Sequence, residues 1–254
     1  MTKKVNDTKE EKPRATEFDY GVENVVDATG DFKLASEGSH MSRIKALVHL
    51  GTFQETFKGK KKKPAPEACI VFELLEEDDF EEDGVTPLLA YKAFPLKLGP
   101  KTFMTKFKKT MDPKEVLTGF DGYIALPCNV DMVGSTKKND DGSPKYVNFN
   151  SVSGMSPKLA KAVDPLSGIG PQGHFRFNEL TEEVIKMLNP IIHVRNILME
   201  SAEYPGSKAE AIIKKIRETD PDYATMSESE EEEPEDRTES EVNPPPPLDE
   251  QEEF

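Results

Sequence analysis

The chain has 254 residues, a pI near 4.8 and a net charge of −15. Fifteen of its 48 acidic residues but one of its 33 basic residues lie between Asp220 and Phe254, so that segment carries −14 and the first 219 residues only −1. Two cysteines exclude a cysteine-built metal cluster, no window nears the ~18 uninterrupted apolar residues of a membrane span, and thin aliphatic content with 20 prolines argues against a large enzyme fold.

Residues 1–40 form a polar leader, MTKKVNDTKEEKPRATE and onward, with no apolar h-region; it reads as disordered and not as a signal peptide. Folding is expected to start near Met41, after Gly38-Ser39-His40. In MSRIKALVHLGTF the alternation puts Ile44, Ala46, Val48 and Leu50 on a buried face and Arg43, Lys45, Leu47 and His49 on a mildly basic one, as in a first strand. A lysine loop follows, ETFKGKKKKPAP, holding Lys58, Lys60, Lys61, Lys62 and Lys63 between aromatic flanks at Phe53 and Phe57. EACIVFELLE reads as a second strand, EEDDFEEDG as an acidic turn and LLAYKAFPL as a third strand. After Gly99-Pro100 the period changes. Phe103, Phe107 and Met111 recur every four residues among Lys101, Lys106, Lys108 and Lys109, which predicts a short amphipathic helix. YIALPCNVDMV is a fourth strand, broken by Pro127, and KYVNFNSVSG a fifth. Helices are predicted over 178–188, 190–201 and 207–218.

The order β-β-β-α-β-β is that of an OB-fold, a five-stranded Greek-key barrel with a helix between strands 3 and 4. The predicted organisation is a leader (1–40), an OB-fold domain with appended helices (41–200), a helical or linker segment (201–219) and a disordered acidic tail (220–254). Such barrels bind oligonucleotides on the strand 2–3 face and the 1–2 and 4–5 loops. The 1–2 loop here is the lysine loop, and aromatics recur on strands 3 (Tyr91, Phe94) and 5 (Tyr146, Phe149). A cationic track with flat side chains is what single-strand binding needs.

The stretches SRIKALVHLGTFQETFKGKKKKPAPEACIVFEL, FPLKLGPKTFMTKFKKTMDP, GYIALPCNV and NFNSVSGMSPKLA together resemble the single-stranded DNA-binding proteins of tailed bacteriophages. Phe57, Lys58 and Gly59 with Pro64 and Pro66 match that family's loop, and Phe254 its terminal aromatic. The longer lysine run, the leader and the three helical segments before the tail depart from it. The resemblance implies an OB-fold protein of the host-cell cytoplasm. It would coat single strands during replication or recombination and recruit a polymerase or helicase through its tail.

The expected DNA-binding residues are Arg43, Lys45, Phe53, Phe57, Lys58, Lys60, Lys61, Lys62, Lys63, Lys92, Phe94, Lys106 and Tyr146. Phe94 is the surface candidate on strand 3, because it shares its side with Lys92 while Tyr91 shares its side with Leu89. Phe103 and Phe107 are expected to plug the barrel base. Asp249, Glu250, Glu252, Glu253 and Phe254 are the expected partner-binding end of the tail. No P-loop, catalytic triad or metal-ligand spacing is present, so no enzyme, cofactor or metal is expected. Glu76 to Asp83 reads as a solvated hairpin, and His40, His49, His174 and His193 have no partner spacing. Cys69 and Cys128 read as reduced core thiols. The tail's carboxylates are expected to compete with DNA for the groove. The alternative is an adaptor or chaperone that binds basic proteins through its tail and holds no nucleic acid. Single-stranded RNA stays open as a ligand, because stacking and phosphate contacts do not sense the 2′-hydroxyl.

Overall fold

The structure, a computed structural model, describes residues 33–54, 56–57, 60–136, 138–139, 141–144, 146–188 and 197–219. The leader up to residue 32 and the whole tail, including Asp249, Glu250, Glu252, Glu253 and Phe254, lie outside the described residues.

The strands are β1 (Gly38–Phe53), β2 (Thr56–Phe57), β3 (Lys60–Lys61), β4 (Ala65–Leu74), β5 (Leu89–Pro95), β6 (Pro127–Gly134), β7 (Val147–Gly154) and β8 (Gly173–Phe175). The helices are α1 (Phe103–Met111), α2 (Pro157–Ala160), α3 (Glu182–Met187) and α4 (Lys208–Thr219), with 3-10 turns at Asp121–Tyr123 and Phe177–Glu179. Of the helix expected over 190–201, residues 197–199 are helical and 189–196 lie outside the described residues. The fold is mainly β: an open sheet in the order β5-β4-β1-β6-β7, antiparallel throughout, which β8 joins parallel to β1. β2 and β3 form a separate hairpin.

The long first strand is shared. Its N-terminal part pairs with β6, from Gly38 opposite Met132 to Arg43 opposite Pro127, and most of its length pairs with β4, out to Phe53 opposite Ala65. It starts three residues before the expected Met41. The expected one-sided burial of β1 is also corrected. Register shifts between Ile44 and Ala46 and between His49 and Gly51 switch which face successive side chains take. Ile44 and Leu47 therefore pack inward with Ile70, Phe72, Phe94 and Phe107, whereas Ala46, Val48 and Leu50 pack outward with Val71 and Tyr91. Both faces of β4 are covered, which is why its sequence is an almost unbroken apolar run.

α1 closes the inner core. Thr102 caps it by accepting from the Thr105 amide; of the residues spaced by four, Phe107 is buried and Phe103 and Met111 are partly buried against the inner core, Met104 is buried beside them, and Lys108 and Lys109 sit in the last turn, where the helix dipole favours cations. α3 and α4 cover the outer face. Ala209, Ile213 and Ile216 give α4 one apolar stripe, and Lys215 reaches Glu182 of α3 at 2.8 Å. The Tyr91 hydroxyl donates to the Met187 carbonyl at 2.7 Å. Gly51 allows this cover to approach: at φ +107° a side chain is strained, and a Cβ there would meet Ser201 at 2.5 Å. Ala202 donates to the Thr52 carbonyl at 2.9 Å in the same place.

Two of the sequence readings are corrected by distant pairing. Asp79 of the acidic turn is buried, not solvated, and holds the buried His40 ring at 2.9 Å, while the other ring nitrogen meets the Ser36 carbonyl at 2.9 Å. Burial opposes charge on His40, but the hydrogen bonds to Asp79 and Ser36 outweigh it and raise its pKa. A base with a raised folded pKa stabilises the fold fully below its unfolded value, about 6.5, and loses that contribution as pH rises through the folded value. Thermal midpoints of the wild type are therefore expected to fall from mildly acidic to mildly alkaline pH, by more than those of His40→Gln. Parallel profiles for the two proteins would refute this. Cys69 and Cys128 are buried free thiols, and burial pushes both up to about 12, which keeps them protonated and inert.

Candidate nucleic-acid interface

The lysine loop is a hairpin built on the sheet's end. Thr56 pairs with Lys61 and Phe57 with Lys60. Lys58 and Gly59 at its tip lie outside the described residues, as do the side chains of Phe57 and Lys60. Lys61, Lys62 and Lys63 are exposed. β4, which follows the hairpin, stays paired out to the end of β5, where the Leu96 amide donates to the Pro66 carbonyl at 2.7 Å.

Several expected binding residues are committed elsewhere. Lys45 is 2% exposed, not on an open basic face, and its Nζ reaches Glu73 at 2.5 Å and the Ile169 carbonyl at 2.6 Å. The Arg43 guanidinium donates to the carbonyls of Ala125, Val163 and Asp164 at 2.6, 2.7 and 2.5 Å. It thereby fastens two loops to β1. Phe94, the surface candidate, is 2% exposed and lies in the inner core, its ring 4.9 Å from Phe103. Tyr91 is buried as well, so strand 3 has an aromatic on each covered face. Phe53 packs against the outer cluster under the C-terminal helices. Lys92 sits between β5 and β7, its Nζ 5.9 Å from the Phe103 ring centre and 5.8 Å from that of Phe149. Phe149 in turn stacks on Phe72 at 5.5 Å.

What stays available is a different set. Lys106 is exposed on α1 beside Lys101, Lys108 and Lys109, and Tyr146 is 42% exposed ahead of β7. The outer face of β4 and β5, where barrels of the expected class bind, is covered by α3 and α4. Among the described residues, exposed lysines thus stand on the hairpin and on and beside α1, as they do at Lys114, Lys158, Lys161 and along α4.

Beside α1 lies a cavity of about 320 Å³, lined by Leu96, Leu98, Met104, Lys108, Leu117, Gly119, Phe120 and Tyr123. Its far wall is set by local geometry. The buried Asp112 carboxylate accepts from the amides of Val116 and Leu117 at 2.9 and 2.8 Å, and Gly119 turns the chain at φ +68°. The sequence carried a signal for this wall in GFDGY, where two aromatics follow an amphipathic helix, but that stretch reads alone as a glycine-rich connector.

A histidine pair borders the same corner. The Nε2 atoms of His49 and His174 approach to 2.9 Å, both rings lie against Phe120, and Asp121 is 3.7 Å from His174 Nδ1. Burial, with His174 and Arg176 nearby, lowers the His49 pKa. A cluster of His40, Glu76 and Asp79 also brings three ligand-type groups together, with His40 and Asp79 spent on each other. Among the described residues no helix is long and apolar enough to cross a membrane. The chain matches no protein-family model, no curated protein and no solved structure.

Proposed function

We propose that the protein binds single-stranded DNA without sequence preference, as an OB-fold coat for strands exposed in replication or recombination. The observation that carries this reading is the exposed lysines Lys61, Lys62 and Lys63, together with an apolar cavity beside α1 that Lys108 lines. The strand order β5-β4-β1-β6-β7, with α1 between the third and fourth long strands, is compatible with an OB barrel left open between β5 and β7. Phosphates would follow the lysines and bases would meet apolar and aromatic side chains, a combination that tolerates any sequence. With the outer face of β4 and β5 covered, the strand would run along the hairpin and α1. The −14 segment from Asp220 to Phe254 would compete for these lysines when no DNA is bound and recruit basic partners when it is.

Titration of labelled oligo-dT, matched duplex and matched RNA at low and physiological salt tests this. The expected result is salt-sensitive preference for the single strand over the duplex, tighter when the chain ends at Thr219. Absence of binding to all three at low salt, with or without residues 220–254, would refute the reading and favour an adaptor for basic proteins.

A further inference from the structure

We propose that the cavity beside α1 holds one unstacked base of the bound strand, with the neighbouring lysines on its phosphates. This inference rests on the single-strand reading and adds a specific site to it.

Its volume, about 320 Å³, is at the small end for ligand pockets, which are mostly apolar with a few polar groups. Met104, Leu117 and Phe120 supply apolar walls, and Lys108 of α1 supplies the cation. Phe120 offers a flat ring, and stacking on such a ring suits every base. Leu98, at the mouth, is 77% exposed, and Val116, next to Leu117, is 71% exposed. Large apolar side chains held in water around a concave apolar surface are typical of a binding site.

The polar group is Tyr123. It is 3% exposed, and its hydroxyl is one of two buried side-chain groups among the described residues without a hydrogen-bond partner. An unmade hydrogen bond in a buried setting costs stability that a phenylalanine would spare. An unspent hydroxyl at the wall of an apolar cavity therefore points to a ligand with both a flat apolar face and a polar edge. A nucleobase has both. Charge complementarity decides between a base on a polyanion and an uncharged apolar guest. Lys108 lines the cavity, Lys109 follows it in the last turn of α1, and Leu96, which also lines it, is bonded to Pro66 of β4, just after the lysine hairpin. The wall is already shaped, because Asp112 spends its carboxylate on the Val116 and Leu117 amides.

The test uses the full chain and two probes, dTMP and oligo-dT, with wild type, Leu98→Ser and Tyr123→Phe. Leu98 is exposed, so an unchanged thermal midpoint is expected for Leu98→Ser, and Tyr123→Phe, which keeps the ring and removes an unpaired buried hydroxyl, is expected to melt no lower than wild type. Leu98→Ser is expected to weaken oligo-dT at least about five-fold, the lower end for one stacked base, and to abolish saturable dTMP binding. Tyr123→Phe is expected to weaken both about three- to ten-fold, as for one lost hydrogen bond. Oligo-dT bound equally by all three proteins would overturn the base pocket and leave the coating reading intact. Saturable dTMP binding lost in Leu98→Ser, with no oligo-dT binding by the wild type, would do the reverse. Binding of a peptide of residues 248–254 in place of dTMP would overturn the proposal and assign the cavity to the chain's own C-terminus.

Discussion

Replacing Lys45 by methionine is expected to lower stability by about 3–5 kcal/mol, the usual cost of leaving one partner of a buried ion pair alone. At about 2–4 °C per kcal/mol for a domain of this size, the melting midpoint should drop by roughly 6–20 °C. Glu73 would be the stranded charge. Its side chain is fully buried, and apart from Lys45 it is held by the Ser167 amide at 2.6 Å. Lys45 also anchors the Ile169 carbonyl, so the pair clamps the segment that leads into β8 and carries His174 to His49. Double replacement by Lys45→Met and Glu73→Leu is expected to recover much of the loss, because an apolar pair of similar volume is often neutral against a buried salt bridge. Thermal denaturation followed by circular dichroism distinguishes these outcomes. A Lys45→Met protein within about 1 kcal/mol of wild type would show that the pair is not the clamp described, since that is the range of an exposed ion pair.

Lys45 also shows where the sequence stops being legible. Alternation located β1, β4, β5, β6, β7 and α1 because each depends on local periodicity. That periodicity cannot report that Lys45 meets Glu73 on the neighbouring strand β4 and Ile169 from a loop 124 residues further on. Nor does it reveal the register shift after Ile44, which puts Ile44 in the inner core while Ala46, Val48 and Leu50 lie in the outer one. Lys92 and Phe94 share a side as predicted, but that side points into the inner core, where Lys92 is satisfied by the rings of Phe103 and Phe149. The outer face misled in another way. Ala46, Val48 and Tyr91 look like an ordinary buried face, and only α3 and α4 show that it is closed by the chain's own C-terminal helices. Lys61, Lys62, Lys63 and Lys106 are legible as exposed because clustered like charges have no local means of burial.

Neutralising Lys60, Lys61, Lys62 and Lys63 together to glutamine is expected to cause the largest functional change. Release of condensed counterions makes single-strand affinity fall with salt by a log–log slope of about 0.7 for each phosphate neutralised. Loss of up to four contacts should therefore flatten the slope by about 2–3 and weaken oligo-dT binding at low salt by at least about ten-fold. The fold has little reason to suffer. Lys61, Lys62 and Lys63 are exposed, the β2–β3 pairing uses backbone groups, and the Leu96–Pro66 bond at the hairpin's foot is retained. Sequence preference should not change, because phosphate contacts position a strand without reading it. The pattern separates the lysines from the cavity. Leu98→Ser should lower affinity at every salt concentration with the slope kept, whereas the hairpin variant should lose both affinity and slope. A hairpin variant with full affinity and an unchanged slope would mean that the strand takes its charge from α1 alone, and the track would then have to be redrawn around Lys101, Lys106, Lys108 and Lys109.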